Sequence, residues 1–168
     1  RTELFKKTLG IMGCGRIGKE VAKRAAAFGM EVLGYDVVKI EDPIIKQVET
    51  LDELFAKCDY ITINTPLTES TQGMVNAGAI AKMKDGVRLI NTGRGKVVVE
   101  EDIAAALESG KIAGYATDVW YSDPPESTPL TSAPNTVLLP HLGASTKENL
   151  LRIGDIIMEL TEDFVSRQ

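Results

Sequence analysis

Short apolar runs alternate along the chain with segments whose apolar residues recur at helical spacing. The apolar runs predict strands at 8–12, 31–35, 60–63, 87–90, 112–117 and 136–139, with a further short strand near Val48. The helical spacing predicts helices at 16–28, 77–84 and 100–109, and capping boxes at 50–53 and 145–148 open two more. The alternation of strands and helices predicts the α/β class, with a doubly wound parallel sheet and helices on both faces.

Two segments near the end of the chain depart from this alternation of short strands and helices. A proline-rich stretch at 123–134 predicts a loop. The helix opened by Ser145 is long and carries a single apolar stripe, made of Leu150, Ile153, Ile157, Leu160 and Phe164. In sheets of this kind ligands bind beyond the carboxyl ends of the strands, so the residues that directly follow strands are the candidates for function.

Composition limits the function classes. The 168 residues suit one domain, with ordinary shares of hydrophobic (43%) and charged (26%) residues. A net charge of −5 without a basic tail disfavours nucleic-acid binding, and no apolar run approaches a membrane span. The N-terminus is too polar for a signal peptide, and the two cysteines form neither a disulfide framework nor a zinc motif. We therefore expect a cytoplasmic protein without a metal site.

A glycine motif follows the first predicted strand. The sequence Gly13-Cys14-Gly15-Arg16-Ile17-Gly18 fits GxGxxG and opens a helix. Asp36 follows 18 residues after Gly18, at the end of the next strand. In this context the motif predicts a Rossmann-type site, where the helix N-terminus binds a pyrophosphate and the acid binds the adenosine ribose. The alternative, a packing turn and an unrelated surface acid, explains fewer of these features.

Asp36 also indicates which dinucleotide binds. A carboxylate at this position repels a 2′-phosphate, and Val37 stands where an NADP-binding protein often has arginine. We therefore expect NAD as the cofactor.

Polar residues follow three later strands. Arg94 lies in a glycine-flanked turn after 87–90, where a guanidinium suits a substrate carboxylate. His141, the single histidine, follows 136–139 and suits proton transfer with an alcohol. Asp118 and Asp123 follow 112–117, and a carboxylate beside an imidazole would orient it and favour its protonated form. Each could instead be an ordinary structural or solvated residue.

Together these pieces resemble the NAD-binding domain of the D-isomer-specific 2-hydroxyacid dehydrogenases, over residues 8 to 165. The matching stretches are GCGRIG, NTPLTESTQGMVN, LINTGRGKVVVEEDIAAALESGKIAGYATDVW and PHLGAST, and the last looks most like the 3-phosphoglycerate dehydrogenase branch. The resemblance implies substrate binding by Arg94 and acid–base catalysis by His141. It also implies contacts to the cofactor from Gly13, Gly15, Arg16, Ile17, Gly18, Asp36, Thr65, Pro66, Leu67, Asn91, Thr92, Gly93, Asp118 and Gly143.

The chain departs from the family pattern in two respects. The family usually pairs the histidine with glutamate, whereas Asp123, one methylene shorter, stands at that position here. Glu126 is the less favoured substitute. Family members also run to roughly 300 residues with a second, substrate-binding domain, which is missing from this chain. The 168 residues are therefore expected to be a single dinucleotide-binding domain, excised from or forming part of a longer protein.

These features favour an oxidoreductase that transfers a hydride between NAD(H) and a small D-2-hydroxy acid or 2-oxo acid. The resemblance further implies a homodimer formed through this domain. The alternative is a non-catalytic module that senses NAD(H), of the corepressor type. An interaction module that binds no nucleotide fits poorly with Gly13, Gly15, Gly18 and Asp36 together.

Overall fold

All seven predicted strands are present, and they form one parallel sheet. The computed structural model describes residues 2–167. The strands are β1 (Thr8–Met12), β2 (Glu31–Tyr35), β3 (Lys46–Gln47), β4 (Tyr60–Ile63), β5 (Val87–Asn91), β6 (Ile112–Thr117) and β7 (Thr136–Leu138). Their order in the sheet is β3-β2-β1-β4-β5-β6-β7. The winding direction reverses between β1 and β4, so the predicted doubly wound sheet is confirmed, with its switch point beside the glycine motif.

The helices cover both faces of the sheet, as expected. They are α1 (Arg16–Ala27), α2 (Leu51–Lys57), α3 (Ala77–Ala81), α4 (Glu100–Glu108), α5 (Pro129–Ser132) and α6 (Lys147–Ser166), with a 3₁₀ turn at Gly95–Val97. The larger core cluster joins the sheet to α2, α3, α4 and α5, and a smaller one joins it to α1. β1 contributes to both clusters, which explains why its sequence is a continuous apolar run.

The first helix packs through its smallest residues. Gly18, Ala22 and Ala25 are buried, whereas Ile17 and Phe28 at its two ends are exposed. Small side chains let α1 approach the sheet closely, and this brings its N-terminus against the end of β1. The helix therefore starts directly at the carboxyl edge of the sheet, where a bound anion would meet its free N–H groups.

Two predictions near the C-terminus need correction. The stretch at 123–134 is not only loop, because Thr128 caps the short helix α5 and Pro129 occupies its first turn. α6 begins one residue later than the capping box suggested, since Thr146 rather than Ser145 accepts a hydrogen bond from the Asn149 backbone N–H at 3.1 Å. None of the described α6 residues is buried, so its apolar stripe faces solvent.

The sequence has no apolar run long enough for a membrane span, and the helices of the structure can be checked for the same property. Among the described residues, no helix combines the length and apolar character that crossing a bilayer requires.

The core assignment predicts unequal effects for the same substitution at two sites. Leu54 on α2 is fully buried, so Leu54→Ala should lower the free energy of unfolding by about 2–5 kcal/mol through lost contacts and a cavity. Leu67→Ala, at a position 40% exposed, is the matched control and should change it by less than about 1 kcal/mol. Urea denaturation of both variants measures this. Equal losses would show that Leu54 does not occupy the core.

Candidate functional site

The glycine loop is shaped by steric limits on its three glycines. Gly13 has φ +86°, and a Cβ there would lie 2.9 Å from the Thr65 backbone nitrogen. Gly15 has no atom within 4 Å of the place its Cβ would occupy, so the backbone is open to a ligand. A Cβ on Gly18 would collide with the Gly13 carbonyl oxygen. The loop thus presents bare backbone at the start of α1, as a pyrophosphate site requires.

The Asp36 carboxylate is held against this loop. Its Oδ2 accepts a hydrogen bond from the Cys14 backbone N–H at 2.8 Å, and its Oδ1 accepts one from Val38 N–H at 3.2 Å. Each oxygen keeps a further lone pair, which can accept a ribose hydroxyl. Asp36 is therefore fixed in position before any ligand arrives.

A cavity of about 320 Å³ lies beside the glycine loop and Asp36. Its walls come from the ends of β1 and β2, from the segment after β4 and from Leu51 and Met74. The lining residues are Met12, Gly13, Tyr35, Asp36, Val37, Leu51, Thr65, Pro66, Thr68, Ser70, Thr71 and Met74. This volume and mixed lining suit a nucleoside. The lining includes Thr65 and Pro66 of the predicted contacts but not Leu67.

The Arg94 turn is built by a buried asparagine. Asn91 is fully buried; its Oδ1 accepts from Gly93 N–H at 3.1 Å and its Nδ2 donates to the Arg94 carbonyl at 3.1 Å. The arginine itself is exposed, and its Nη1 donates to the Gly93 carbonyl at 2.8 Å. The asparagine side chain therefore shapes the turn from inside, and the guanidinium is left at the surface.

The loop after β4 is joined to this turn. The Thr92 hydroxyl donates to Asn64 Oδ1 at 2.9 Å. Among the described residues, only Asn64 Nδ2 and Thr65 Oγ1 are buried side-chain polar atoms without a hydrogen-bond partner. Both lie at the switch point, next to the cavity, where unsatisfied polar groups are expected if a ligand completes the site.

His141 and Asp123 are in contact. The His141 Nδ1 lies 2.8 Å from Asp123 Oδ2, although the two side chains are 49% and 67% exposed. The shorter acid thus reaches the ring at the position where the family has glutamate. An exposed pair of this kind contributes little to the free energy of unfolding, but the contact orients the imidazole ring.

Asp118 and Gly143 also meet. The Asp118 carboxylate accepts hydrogen bonds from the backbone N–H groups of Leu142 and Gly143, both at 2.6 Å. The residues that follow β6 and β7 are therefore tied together beside His141. This contact spans 24 and 25 residues of sequence and has no local signature.

The cysteines carry no reactive thiol. Burial raises the pKa of Cys14 to about 12, and the nearby Asp36 charge adds to this shift. Burial also raises the pKa of Cys58 to about 12. Both side chains remain protonated at neutral pH and act as small apolar fillers. Across residues 2–167, no group of three or more metal-ligating side chains comes together.

Comparisons with known proteins agree with this geometry. Residues 1–143 match the model of the D-isomer specific 2-hydroxyacid dehydrogenase NAD-binding domain. The chain belongs to this family. It is 45% identical to the D-3-phosphoglycerate dehydrogenase of Rattus norvegicus over 98% of its own length and 31% of that protein. It is also 45% identical to the hydroxypyruvate reductase of Thermotoga maritima, over 94% of the chain and 52% of that protein.

Solved structures of the family have the same fold. The D-lactate dehydrogenase of Aquifex aeolicus, complexed with NAD and lactic acid, superposes with a TM-score of 0.89 at 37% identity. That match covers 98% of this chain and 55% of the other. The chain thus spans one third to one half of the length of these family members.

The residues present fit the cofactor of a 2-hydroxyacid dehydrogenase. Gly15 leaves room for phosphates, Asp36 has fixed oxygens that could accept ribose hydroxyls, and the adjoining cavity is large enough for an adenine. Sequence patterns predicted the glycine loop and Asp36, and the family resemblance implied Thr65 and Pro66. It missed the apolar wall formed by Met12, Tyr35, Leu51 and Met74, because these residues converge from separate elements.

The Asp36 geometry predicts cofactor preference. The chain should bind NADH more tightly than NADPH, because the fixed carboxylate repels a 2′-phosphate. Asp36→Ala should narrow this preference by about tenfold or more. The exposed Glu41 gives the control, since Glu41→Ala removes the same charge away from the cavity lining. Fluorescence titration measures the affinities of each variant for both cofactors. Equal binding of the two cofactors by the unmodified chain would contradict the assignment.

The contact between Asp123 and His141 predicts a tautomer. A carboxylate at Nδ1 holds the proton on that nitrogen, so the neutral ring should be mainly the Nδ1–H form. Since the chain has one histidine, ¹⁵N NMR in mildly alkaline solution reports this ring alone. Asp123→Asn should shift the ring toward a mixture of tautomers, whereas Glu126→Gln should leave it unchanged. An unchanged tautomer in Asp123→Asn would show that the pair does not form in solution.

Proposed function

We propose that the chain is the cofactor half of an NAD-dependent D-2-hydroxyacid dehydrogenase. The enzyme would transfer a hydride between NAD(H) and a small D-2-hydroxy acid or 2-oxo acid. The observation that carries this proposal is the meeting of Asp123 and His141 at the same sheet edge as the glycine loop and Arg94. Acid–base chemistry on an alcohol needs such a group close to the dinucleotide.

Arg94 is proposed to bind the substrate. Its guanidinium is exposed on a turn held from beneath by Asn91, so its position is defined while its remaining N–H groups stay free. A planar carboxylate can accept two parallel hydrogen bonds from such a group. This would place the carboxyl group of the hydroxy acid and leave its C2 oxygen for the histidine.

His141 is proposed to move the proton. Asp123 occupies Nδ1, so Nε2 is the ring atom that exchanges a proton with the C2 oxygen. In the reducing direction the imidazolium donates to the carbonyl oxygen, and in the oxidising direction the imidazole accepts from the hydroxyl. The nicotinamide, when bound, supplies or accepts the hydride.

The substrate class rests on the relatives. The rat and Thermotoga proteins act, by their names, on 3-phosphoglycerate and hydroxypyruvate. We propose a substrate of this size and charge, with 3-phosphoglycerate as the first candidate. A non-catalytic sensing module has less support, because such a module has no use for an acid–base pair and these two relatives are a dehydrogenase and a reductase.

The remainder of the active site is proposed to lie in another part of a longer protein. Support comes from the lengths of the relatives, of which this chain spans 31% to 52%. We also propose a cytoplasmic location, which is consistent with two free, buried cysteines.

The proposed roles predict a separation of binding from turnover. The 168-residue chain should bind NADH without oxidising 2-hydroxy acids at a useful rate, because substrate is not enclosed or oriented. In the longer protein, His141→Asn should lower kcat by about 10²–10⁴-fold. NADH affinity, measured on the chain itself, should remain nearly unchanged. Near-normal turnover by His141→Asn in the longer protein would contradict the role of the histidine.

A homodimer through this domain is the last element of the proposal. The described residues of α6 carry nine exposed large apolar side chains, a surface that monomers rarely leave uncovered. The segments 97–106 and 119–135 are the interface candidates that accompany the family resemblance. In the first, Val97, Val98 and Ile103 are buried in the core of this domain, whereas in the second Tyr121 is 43% exposed.

The dimer is tested by sedimentation. The chain should sediment above its monomer mass of 18.2 kDa at high concentration. Ile157→Glu on α6 should shift it toward monomer, whereas Val38→Glu, at a similarly exposed site away from α6, should not. A single monomeric species at every concentration would count against the dimer.

A further inference from the structure

The backbone of His141 is in a conformation that needs support. Its φ is +57°, in the left-handed region that residues other than glycine rarely adopt. Such a conformation is retained only when the surroundings impose it. Contacts from outside residues 139–143 must therefore hold this loop in shape.

Two side chains from the segment after β6 form hydrogen bonds to this loop, one before the histidine and one after it. The Trp120 indole Nε1 donates to the Leu139 carbonyl at 2.8 Å, before His141. After it, the Asp118 carboxylate accepts the backbone N–H groups of Leu142 and Gly143, each at 2.6 Å. Hydrogen bonds to an ionised carboxylate are shorter and stronger than those between neutral groups, so the Asp118 contact is the firmer of the two.

Asp118 is itself well fixed. The residue is only 9% exposed, and its backbone N–H donates to the Asn91 carbonyl at 3.2 Å. Asn91 is the residue that shapes the Arg94 turn. The carboxylate therefore connects the end of β5, through Asp118, to the loop that follows β7.

We propose that Asp118 is a positioning residue for His141, acting through two backbone N–H groups of the adjacent loop. By holding Leu142 and Gly143 it keeps His141 in the left-handed conformation in which the ring meets Asp123. Asp123 then orients the ring and Asp118 orients the backbone that carries it. The effect on catalysis rests on the proposed function, but the hydrogen bonds between Asp118 and the loop do not.

This role stands beside the one that family resemblance implies for Asp118, a contact to the nicotinamide carboxamide. Each carboxylate oxygen accepts one N–H from the loop and keeps a further lone pair for another donor. A positioning role predicts effects on the loop and the histidine in the free chain. A carboxamide contact predicts effects only when the cofactor is bound.

The first measurement is amide hydrogen exchange by NMR on the ¹⁵N-labelled chain without cofactor. The Leu142 and Gly143 amides should be protected, and Asp118→Ala should speed their exchange by about tenfold or more. Asp118→Asn keeps one acceptor oxygen and should fall between the two. The exchange rates of amides in β1 and β4 should not change, because the Asp118 hydrogen bonds affect only the loop after β7.

The second measurement determines the tautomer of the His141 ring in the same samples by ¹⁵N NMR. Asp118→Asn should shift the His141 tautomer toward a mixture, since the ring loses its fixed approach to Asp123. Asp123→Asn is the matched control: it should disturb the ring while leaving the Leu142 and Gly143 amides protected. Gly143→Ala adds a variant that keeps the carboxylate, because its Cβ would lie 2.9 Å from Asp118 Oδ2 and should loosen the same hydrogen bonds.

Two results would overturn the proposal. One is a pair of Leu142 and Gly143 amides that exchange freely in the wild type or are unaffected by Asp118→Ala. The other is a His141 tautomer that is unchanged in Asp118→Asn. Failure of NADH to bind would refute the proposed function, while the exchange result would still decide the positioning role.

Discussion

The carboxyl edge of the parallel sheet is the constraint on which the whole candidate site depends. Because neighbouring strands run in the same direction, Met12 pairs with Ile63, Asn91 with Thr117, and Thr117 with Leu138. Every loop that follows these strands leaves from the same side of the molecule. Residues far apart in sequence, such as the glycine loop and His141, are thereby brought to one edge.

Two carboxylates then hold separate parts of this edge in the same way. Asp36 binds the backbone N–H of Cys14 in the glycine loop, and Asp118 binds those of Leu142 and Gly143 beside the histidine. In each case a charged acceptor at the end of one strand fixes the loop that follows another. The side proposed to bind the cofactor and the side proposed for acid–base chemistry are therefore both preorganised by backbone hydrogen bonds, so less ordering remains for a ligand to impose.

Much of the fold was predictable, because buried parallel strands are continuous apolar runs and the glycine motif marks the start of α1. For α6, helical spacing revealed an apolar face but could not show what covers it. The α5 helix was missed, although Thr128 followed by Pro129 is a typical helix start.

Asp36 was predictable because its distance from Gly18 is set by a local βαβ unit. The approach of Asp123 to His141 was predictable as a possibility, since both follow strands of one sheet, but not as a distance. The hydrogen bonds from the loop after β7 to Asp118 depend on the register of β6 and β7 and on the left-handed backbone of His141. No local pattern in the sequence specifies that register or that conformation.

Mapping NADH binding onto the ¹⁵N-labelled chain by NMR tests the assignment of the carboxyl edge most directly. Shifts confined to that edge are expected: the amides of Cys14, Gly15, Val37, Thr65 and Gly93 should move, and those of Gly86 and Gly110 at the opposite edge should not. Shifts centred on the opposite edge, or none at saturating NADH, would contradict the assignment of the carboxyl edge as the dinucleotide site.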